Sequence, residues 1–434
     1  MKRGVFAWVL LAGCAGGLGS DGDGTAGLGG STDGDSGDPD PGASTTEPGS
    51  TSTGGSTTTE GGGDDTTTGA IPCVEPWRTV RTDGTLSDVV VDPAAGIVHA
   101  IGFTDAGEGW GMALDACDGT VLADTTVVHG AGETTRLDSL VLGSGVLFAV
   151  GSVTLAADPR NGLYARIDPR DMSTVWTTSL YGSPGQDEVL DVALGNNGRV
   201  WMTGTSSYDV APTAWTVSGN TVGEACGFGW GGADSGSGRA IAVDGDELVV
   251  AVRTTEGQIV LLRYDQACTC MCQPTWVSPP IAVGTMDTSI GDLMVLGGQY
   301  YVAGWANDGS TSDGLYLQLS WVSSTGTVIE TYLSDPTPFG DGLFSLGADD
   351  ERLYLSGGSD WMGEPGFVGA HAIIQALPRP LTADAQPLWE ASPTDVDYVQ
   401  GIGIEPGPDG YLYVGGNIDG VGTVLRCDKQ GECG

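Results

Sequence analysis

Apolar and polar positions alternate along most of the chain after residue 72. Asp88-Val89-Val90-Val91-Asp92, Gly96-Ile97-Val98-His99-Ala100-Ile101-Gly102, Trp110-Gly111-Met112-Ala113-Leu114 and Val121 to Val128 are four such runs in succession. Turns rich in Gly, Pro, Asp and Asn separate them, so each run reads as a β-strand. No segment carries the apolar spacing of an amphipathic helix. The four-strand cassette recurs. Its second strand ends on a glycine at Gly102, Gly151, Gly204, Gly304, Gly357 and Gly415, with Val252 in the equivalent place between the third and fourth. Seven units of about fifty residues therefore fill the chain after residue 72, a period that marks propellers and solenoids.

About 360 residues of short, evenly spaced strands suit a radial array of four-stranded blades better than one sandwich. The glycines are expected where strands of neighbouring blades crowd and exclude a side chain. Trp176, Trp276 and Trp389 open the outermost strand of the second, fourth and sixth units, and the seventh unit runs out at Gly434 after three strands. Pro76-Trp77-Arg78-Thr79-Val80 reads like Val175-Trp176-Thr177-Thr178-Ser179. The N-terminal segment would then supply the missing outer strand, closing a ring that has no open edge to cap. The expected fold is all-β: a seven-bladed β-propeller of four-stranded antiparallel blades, closed by the N-terminal strand and preceded by a disordered linker.

The first 71 residues change the picture. Lys2 and Arg3 precede an apolar stretch from Gly4 to Gly13, too short to cross a bilayer core of roughly 30 Å and read as a cleaved export signal. Residues 15–71 hold ten acidic residues, no Lys or Arg, and no Trp, Tyr or Phe. Such a segment buries too little apolar surface to offset its chain entropy. The expected organisation is a signal over 1–14, an acidic Gly/Ser/Thr-rich tether over 15–71 and a propeller domain over 72–434.

The chain carries 56 acidic and 16 basic residues, a net charge of −40. Ten of the acids lie in the tether and two of the bases in the leader, leaving 46 against 14 from residue 72 onward. A domain this acidic is repelled by phosphate backbones, which argues against nucleic acid as a partner.

Catalytic strings lack their contexts. Gly34-Asp35-Ser36-Gly37 and Gly17-Leu18-Gly19-Ser20-Asp21-Gly22 fall in the tether, where no scaffold holds a base and no strand–helix pair flanks the glycines. Asp33, Asp35 and Asp38 hint at a calcium loop, but the sixth position is Asp38 where a turn glycine belongs. His99, His129 and His371 show no metal-ligand spacing, and His99 lies mid-strand as a core residue. The reading is of a chain without a cofactor or metal site. Eight cysteines remain beside Cys14, an even count that favours disulfides in an exported chain. Cys73-Val74-Glu75-Pro76-Trp77 repeats the spacing of Cys272-Gln273-Pro274-Thr275-Trp276, and Arg426-Cys427-Asp428 aligns with Arg263-Tyr264-Asp265. Cys73 is accordingly expected to bridge to the C-terminal tail, to Cys433 or otherwise to Cys427.

Two stretches resemble known families. Leu11-Ala12-Gly13-Cys14 resembles the bacterial lipobox, which implies cleavage before Cys14, its acylation, and a lipid anchor in the cell envelope. Ala15 rather than Asp at the next position implies the outer membrane or cell surface. Gly182 to Ala193, followed by Gly198-Arg199-Val200-Trp201-Met202-Thr203-Gly204, resembles the SBBP-type propeller repeat of exported bacterial proteins. Ala113-Leu114-Asp115-Ala116-Cys117-Asp118-Gly119 resembles the repeat of PQQ-dependent quinoproteins. These resemblances imply fold and exposure more than chemistry. The expected binding surface is the face carrying the loops between second and third strands, with Asp105, Trp110, Tyr208, Asp209, Trp305, Asp308, Asp360, Trp361 and Asp419. The leading function is a lipid-anchored, monomeric, non-catalytic module for a protein, peptide or glycan ligand. The alternative is a propeller enzyme, either quinoprotein-like or carbohydrate-active.

Overall fold

The alternating runs pair with their sequence neighbours into antiparallel ladders. This computed structural model describes residues 73–434 apart from 74, 131–132, 155–159, 181–186, 197, 207–212, 218–227, 230–235, 268–272, 282, 284–285, 308–314, 336–340, 360–371, 383, 392–398 and 419–420. The leader, the tether and Cys14 lie outside the described residues. Among the described residues 28 strands form seven four-stranded sheets and there is no helix. Each sheet has its own inner strand: Gly84–Asp92, Thr134–Gly143, Asp187–Leu194, Gly236–Asp244, Asp287–Leu296, Asp341–Ala348 and Val399–Pro406. Successive inner strands pack side by side, and the last packs on the first. The fold is a β-propeller with blades of four antiparallel strands.

Period-two alternation gives every sheet two faces, and both are buried against neighbours. The apolar core is accordingly divided among the boundaries between sheets. Val98 and Ala100 pack towards Tyr413 and Val424 of the last sheet, while Ile101 and Ala113 pack with Leu137 and Leu163 of the second. The other five boundaries carry clusters of the same kind.

The recurrent glycine answers a backbone irregularity. Each inner strand carries a β-bulge, at Ser87, Asp138, Leu190, Arg239, Gly291, Phe344 and Ile402 in turn. A side chain on Gly304 would overlap the carbonyl oxygen of Ser289 on the bulged strand, and Gly102, Gly151, Gly204 and Gly357 meet the same obstacle. The crowding thus comes from the glycine's own sheet, where the bulge pushes a carbonyl towards the second strand, and not from the neighbouring blade. In the fourth sheet the arrangement is inverted: Val252 pairs with Gly238 on the inner strand. In the last sheet Gly416 stands opposite the bulged strand at Gly401, while Gly415 faces Leu86 and Val89 of the first sheet.

Closure follows the expected strand exchange. Arg78–Arg81 pairs antiparallel with Val421–Cys427, so the N-terminal strand completes the last sheet. Trp77 then packs on Gly119 in the third turn of the first sheet and donates its Nε1–H to Ala116 O at 3.2 Å. Trp276 on Gly326 and Trp389 on Gly431 repeat this packing, each across one boundary. All three glycines have positive φ, 73°, 80° and 89°, where they cost least.

The disulfide expectation is corrected. Cys73 bonds Cys117, with Cα atoms 4.6 Å apart, and Cys433 bonds Cys427, with Cα atoms 4.0 Å apart. The strand that begins after Cys73 lies on the outer edge of the last sheet, beside the turn of the first sheet that holds Ala116 and Gly119. Cys117 is in that turn. The tail instead folds back on itself, with Cys427 and Cys433 paired across a short antiparallel bridge.

Candidate functional site

The sequence placed nine residues in or beside the loops between second and third strands. Tyr208, Asp209, Asp308, Asp360, Trp361 and Asp419 lie outside the described residues. Asp105 is exposed in the first of these loops. Trp110 is not a surface residue: it is fully buried, against Gly84 and Gly102, with the Arg81 guanidinium 4.8 Å from its ring. The two glycines leave the volume that the indole fills, so this tryptophan serves packing. Trp305 is half-buried and lines a cavity. His99 is fully buried, as its mid-strand position implies. Among the described residues no cluster of His, Cys, Asp or Glu is arranged to hold a metal ion.

Near the axis, the residue after the bulge reaches the next inner strand in five of the seven sheets. Asp88 accepts the Leu140 N–H at 2.9 Å, Asp191 the Ile241 N–H at 2.7 Å, and Asp292 the Leu346 N–H at 2.8 Å. Ser345 Oγ accepts the Ile404 N–H at 3.1 Å. Each aspartate also accepts the amide of the residue after it. Burial pushes the carboxyls up, Asp191 to about 7 and Asp292 to about 6, and Asp88 well above the usual range. Repulsion between them adds to the shifts of Asp88 and Asp191. Glu405 rises to about 7 through burial and the charge of Asp292. These groups stitch sheets together, and raised carboxyls bound to backbone amides have a structural task already.

The residue after the recurrent glycine also faces the next sheet. By ladder register it is Phe103, Ser152, Thr205, Arg253, Trp305, Gly358 and Asn417. In the fourth and fifth sheets this places Arg253 and Trp305 in the lining of one cavity of about 340 Å³. Arg253 Nε donates to Thr288 O at 3.0 Å and the guanidinium pairs with Asp287 at 3.1 Å. Trp305 lies 6.1 Å from Phe344 of the sixth sheet, centroid to centroid. Asn307 and Ser289 complete the polar wall.

Arg239 is the remaining wall. It is the bulge residue of the fourth inner strand, and the bulge re-aims its side chain into the cavity. Its Nε is buried and has no hydrogen-bond partner. Burial lowers its pKa, and the charge of Arg253 lowers it further, while Glu188 opposes both. Other arginines of this face are neutralised: Arg136 by Asp138, Arg160 by Glu188, and Arg81 by Asp83 and Asp124. The sequence reading missed Arg239 and Arg253. Their signal was an arginine inside a strand of small and apolar residues, in a domain with only 14 bases. No protein-family model matches this chain, and no curated protein matches it either.

Proposed function

We propose that the chain is a seven-bladed, non-catalytic binding module, held at the bacterial cell surface by acylated Cys14 and standing off the membrane on its acidic tether. Its ligand, a protein, peptide or glycan, meets the face that carries the loops between second and third strands. The observation that supports this reading is the cavity between Arg239, Arg253 and Trp305, a rigid pocket whose polar wall is incompletely satisfied. An enzymatic reading would draw on the raised carboxyls, but each of the three aspartates is bound to backbone amides of its own and the next strand.

The full chain is to be screened against glycans and cell-envelope extracts, with turnover of dye-coupled and glycosidic substrates followed in parallel. Saturable binding that competes with labelling of the loop face is expected. Turnover with any of these substrates would overturn the non-catalytic reading. For the anchor, Cys14→Ser is expected to leave the protein soluble or unprocessed, because one lost acylation site removes the anchor. Partition of that variant with membranes after a high-salt wash would refute it.

A further inference from the structure

Each sheet ends at the circumference of the ring in an outermost strand, and these seven edges differ. We propose that the edge of the fifth sheet, Val328–Ser334, takes up an extended basic segment of a partner protein as a fifth, antiparallel strand. The segment carries an apolar residue and, three positions later, a lysine or arginine. This surface is separate from the loop face and does not depend on what that face binds.

An edge strand exposes unpaired backbone groups, and proteins protect it by shortness, proline or charge. Four of the edges are only two to four residues long: Arg78–Arg81, Phe228–Gly229, Trp276–Val277 and Trp389–Ala391. Three have seven residues. Val121–Val127 has its Asp124 ion-paired with Arg81, and Thr174–Leu180 has Thr177 bonded to His129 at 2.9 Å. Val328–Ser334 pairs with Leu315–Val322 on one side, and no described strand covers the other. Val328, Ile329 and Leu333 are exposed on it, three of the ten exposed large apolar residues among those described. Thr331 N–H donates at 3.2 Å to Glu330 Oε1 of its own strand, so it points out of the sheet. Hydrogen bonding alternates along an antiparallel strand, which turns the backbone of Leu333 outward as well. An added strand bonds these groups directly. Its carbonyl takes the Thr331 N–H from Glu330, and the released carboxylate then needs a cation. Cross-strand neighbours of opposite charge, or both apolar, favour one another. A base opposite Glu330 and an apolar residue opposite Leu333 set the spacing and order of the segment. From residue 72 onward there are 46 acidic residues against 14 basic, so a basic segment is attracted and a second copy is repelled.

The probe is a dye-labelled peptide, Thr-Val-Thr-Thr-Lys-Thr-Val, titrated into the full chain and followed by fluorescence anisotropy. Its controls are the same peptide with Glu in place of Lys, and an isomer of equal composition, Lys-Thr-Val-Thr-Val-Thr-Thr, that lacks the spacing. The Lys peptide is expected to bind at least tenfold tighter than either control. Thr331→Pro removes the outward N–H without touching a ladder bond, as prolines on edge strands do. It is expected to weaken binding tenfold or more at unchanged melting temperature, while Thr331→Val, which keeps the N–H, binds as wild type does. Glu330→Lys is expected to reverse the preference, taking the Glu peptide over the Lys peptide. No binding of the Lys peptide, equal binding of the isomer, or unchanged affinity in Thr331→Pro would each overturn the proposal. If Thr331→Pro fails to fold, the charge swap decides: a Glu330→Lys chain that still prefers the Lys peptide overturns it. Sedimentation of the chain alone is expected to show a monomer. A dimer that Thr331→Pro disperses would put a second copy on this edge and remove the basic partner.

Discussion

Asn417 and Trp305 occupy the same position of the repeat, one residue beyond the glycine, at two different boundaries. Between the last and first sheets, Asn417 accepts the Leu86 N–H at 2.7 Å and donates to Leu86 O at 3.2 Å. Tyr413 and Trp77 donate to Ala116 O, Thr79 to Gly119 O, and the fully buried Arg426 to Cys117 O. Between the fourth and fifth sheets the outer contacts are also made, with Trp276 on Gly326 and Arg263 donating to Tyr300 Oη and Ser324 O, but beside Trp305 the boundary opens into a cavity and Arg239 Nε reaches no partner. The chain itself passes from the fourth sheet to the fifth, whereas no chain segment joins the last sheet to the first except through the strand Arg78–Arg81. A boundary that continuity already holds can leave polar groups unsatisfied for a ligand. At the closing boundary Asn417 takes that place and satisfies both backbone groups of Leu86.

The bridge across the closing boundary gives the largest expected effect. Cys73–Cys117 spans 44 residues, for which chain entropy gives about 4 kcal/mol of stabilisation. Cys427–Cys433 spans six residues of one tail, and the same reasoning gives about 2 kcal/mol. Cys73→Ser should therefore lower unfolding free energy about twice as much as Cys433→Ser, read from denaturant midpoints at constant slope. Equal losses would mean that the seam is no more demanding than the tail.

Asn417→Ala comes next. It leaves a buried N–H and a buried C=O of Leu86 without partners, at a cost of about 2–3 kcal/mol. A loss within experimental error would show that the seam is held by packing alone.

Neither of these boundaries is stitched by an aspartate after its bulge, since Ala240 and Gly403 stand there. The pH response should therefore come from elsewhere in the ring. Asp191, Asp292 and Glu405 have folded pKa values raised to about 7, 6 and 7, so the native state holds protons that the unfolded chain has released. Stability contributed this way is present at low pH and is lost as pH rises from the unfolded carboxyl range towards 7. His99 acts in the opposite sense: burial lowers it to about 4, and its share is lost as pH falls from 6.5. Three carboxyls outweigh one imidazole, so acidification from pH 7 to 5 should raise the melting temperature. Asp191→Asn should flatten that rise, and a melting temperature that falls over this range would refute the sign.

The repeat, the strand count per unit and the exchange of the N-terminal strand were legible because alternation and spacing are local properties. The partner of Cys73 was not, because it depends on which side of the closing strand the next sheet's turn lies. Trp110 reads as a loop-base aromatic, yet Gly84 and Gly102 are spaced to admit it into the core, a fit visible only once the strands are paired. Arg239 escaped for a related reason. Its orientation comes from a bulge, and a bulge breaks the alternation from which facing is read.

The smallest effect has the opposite sign, and it tests the comparison most directly. Arg239 is half-buried with no hydrogen-bond partner at Nε, and Arg253 repels it while Glu188 attracts it, so replacing it by Gln removes a desolvation cost and a repulsion together with one attraction. Arg239→Gln should accordingly leave stability unchanged or raise it by up to about 1 kcal/mol, as residues kept for binding often do when replaced. Asn417→Ala, one position type away at the other boundary, should lower it. The contrast disappears if Arg239 contributes packing through its aliphatic stem, in which case Arg239→Gln melts lower than wild type. Chemical denaturation of the two variants side by side, in the same buffer and with disulfides intact, decides between these outcomes. A destabilised Arg239→Gln would place the arginine with Asn417 among the residues that hold the ring together.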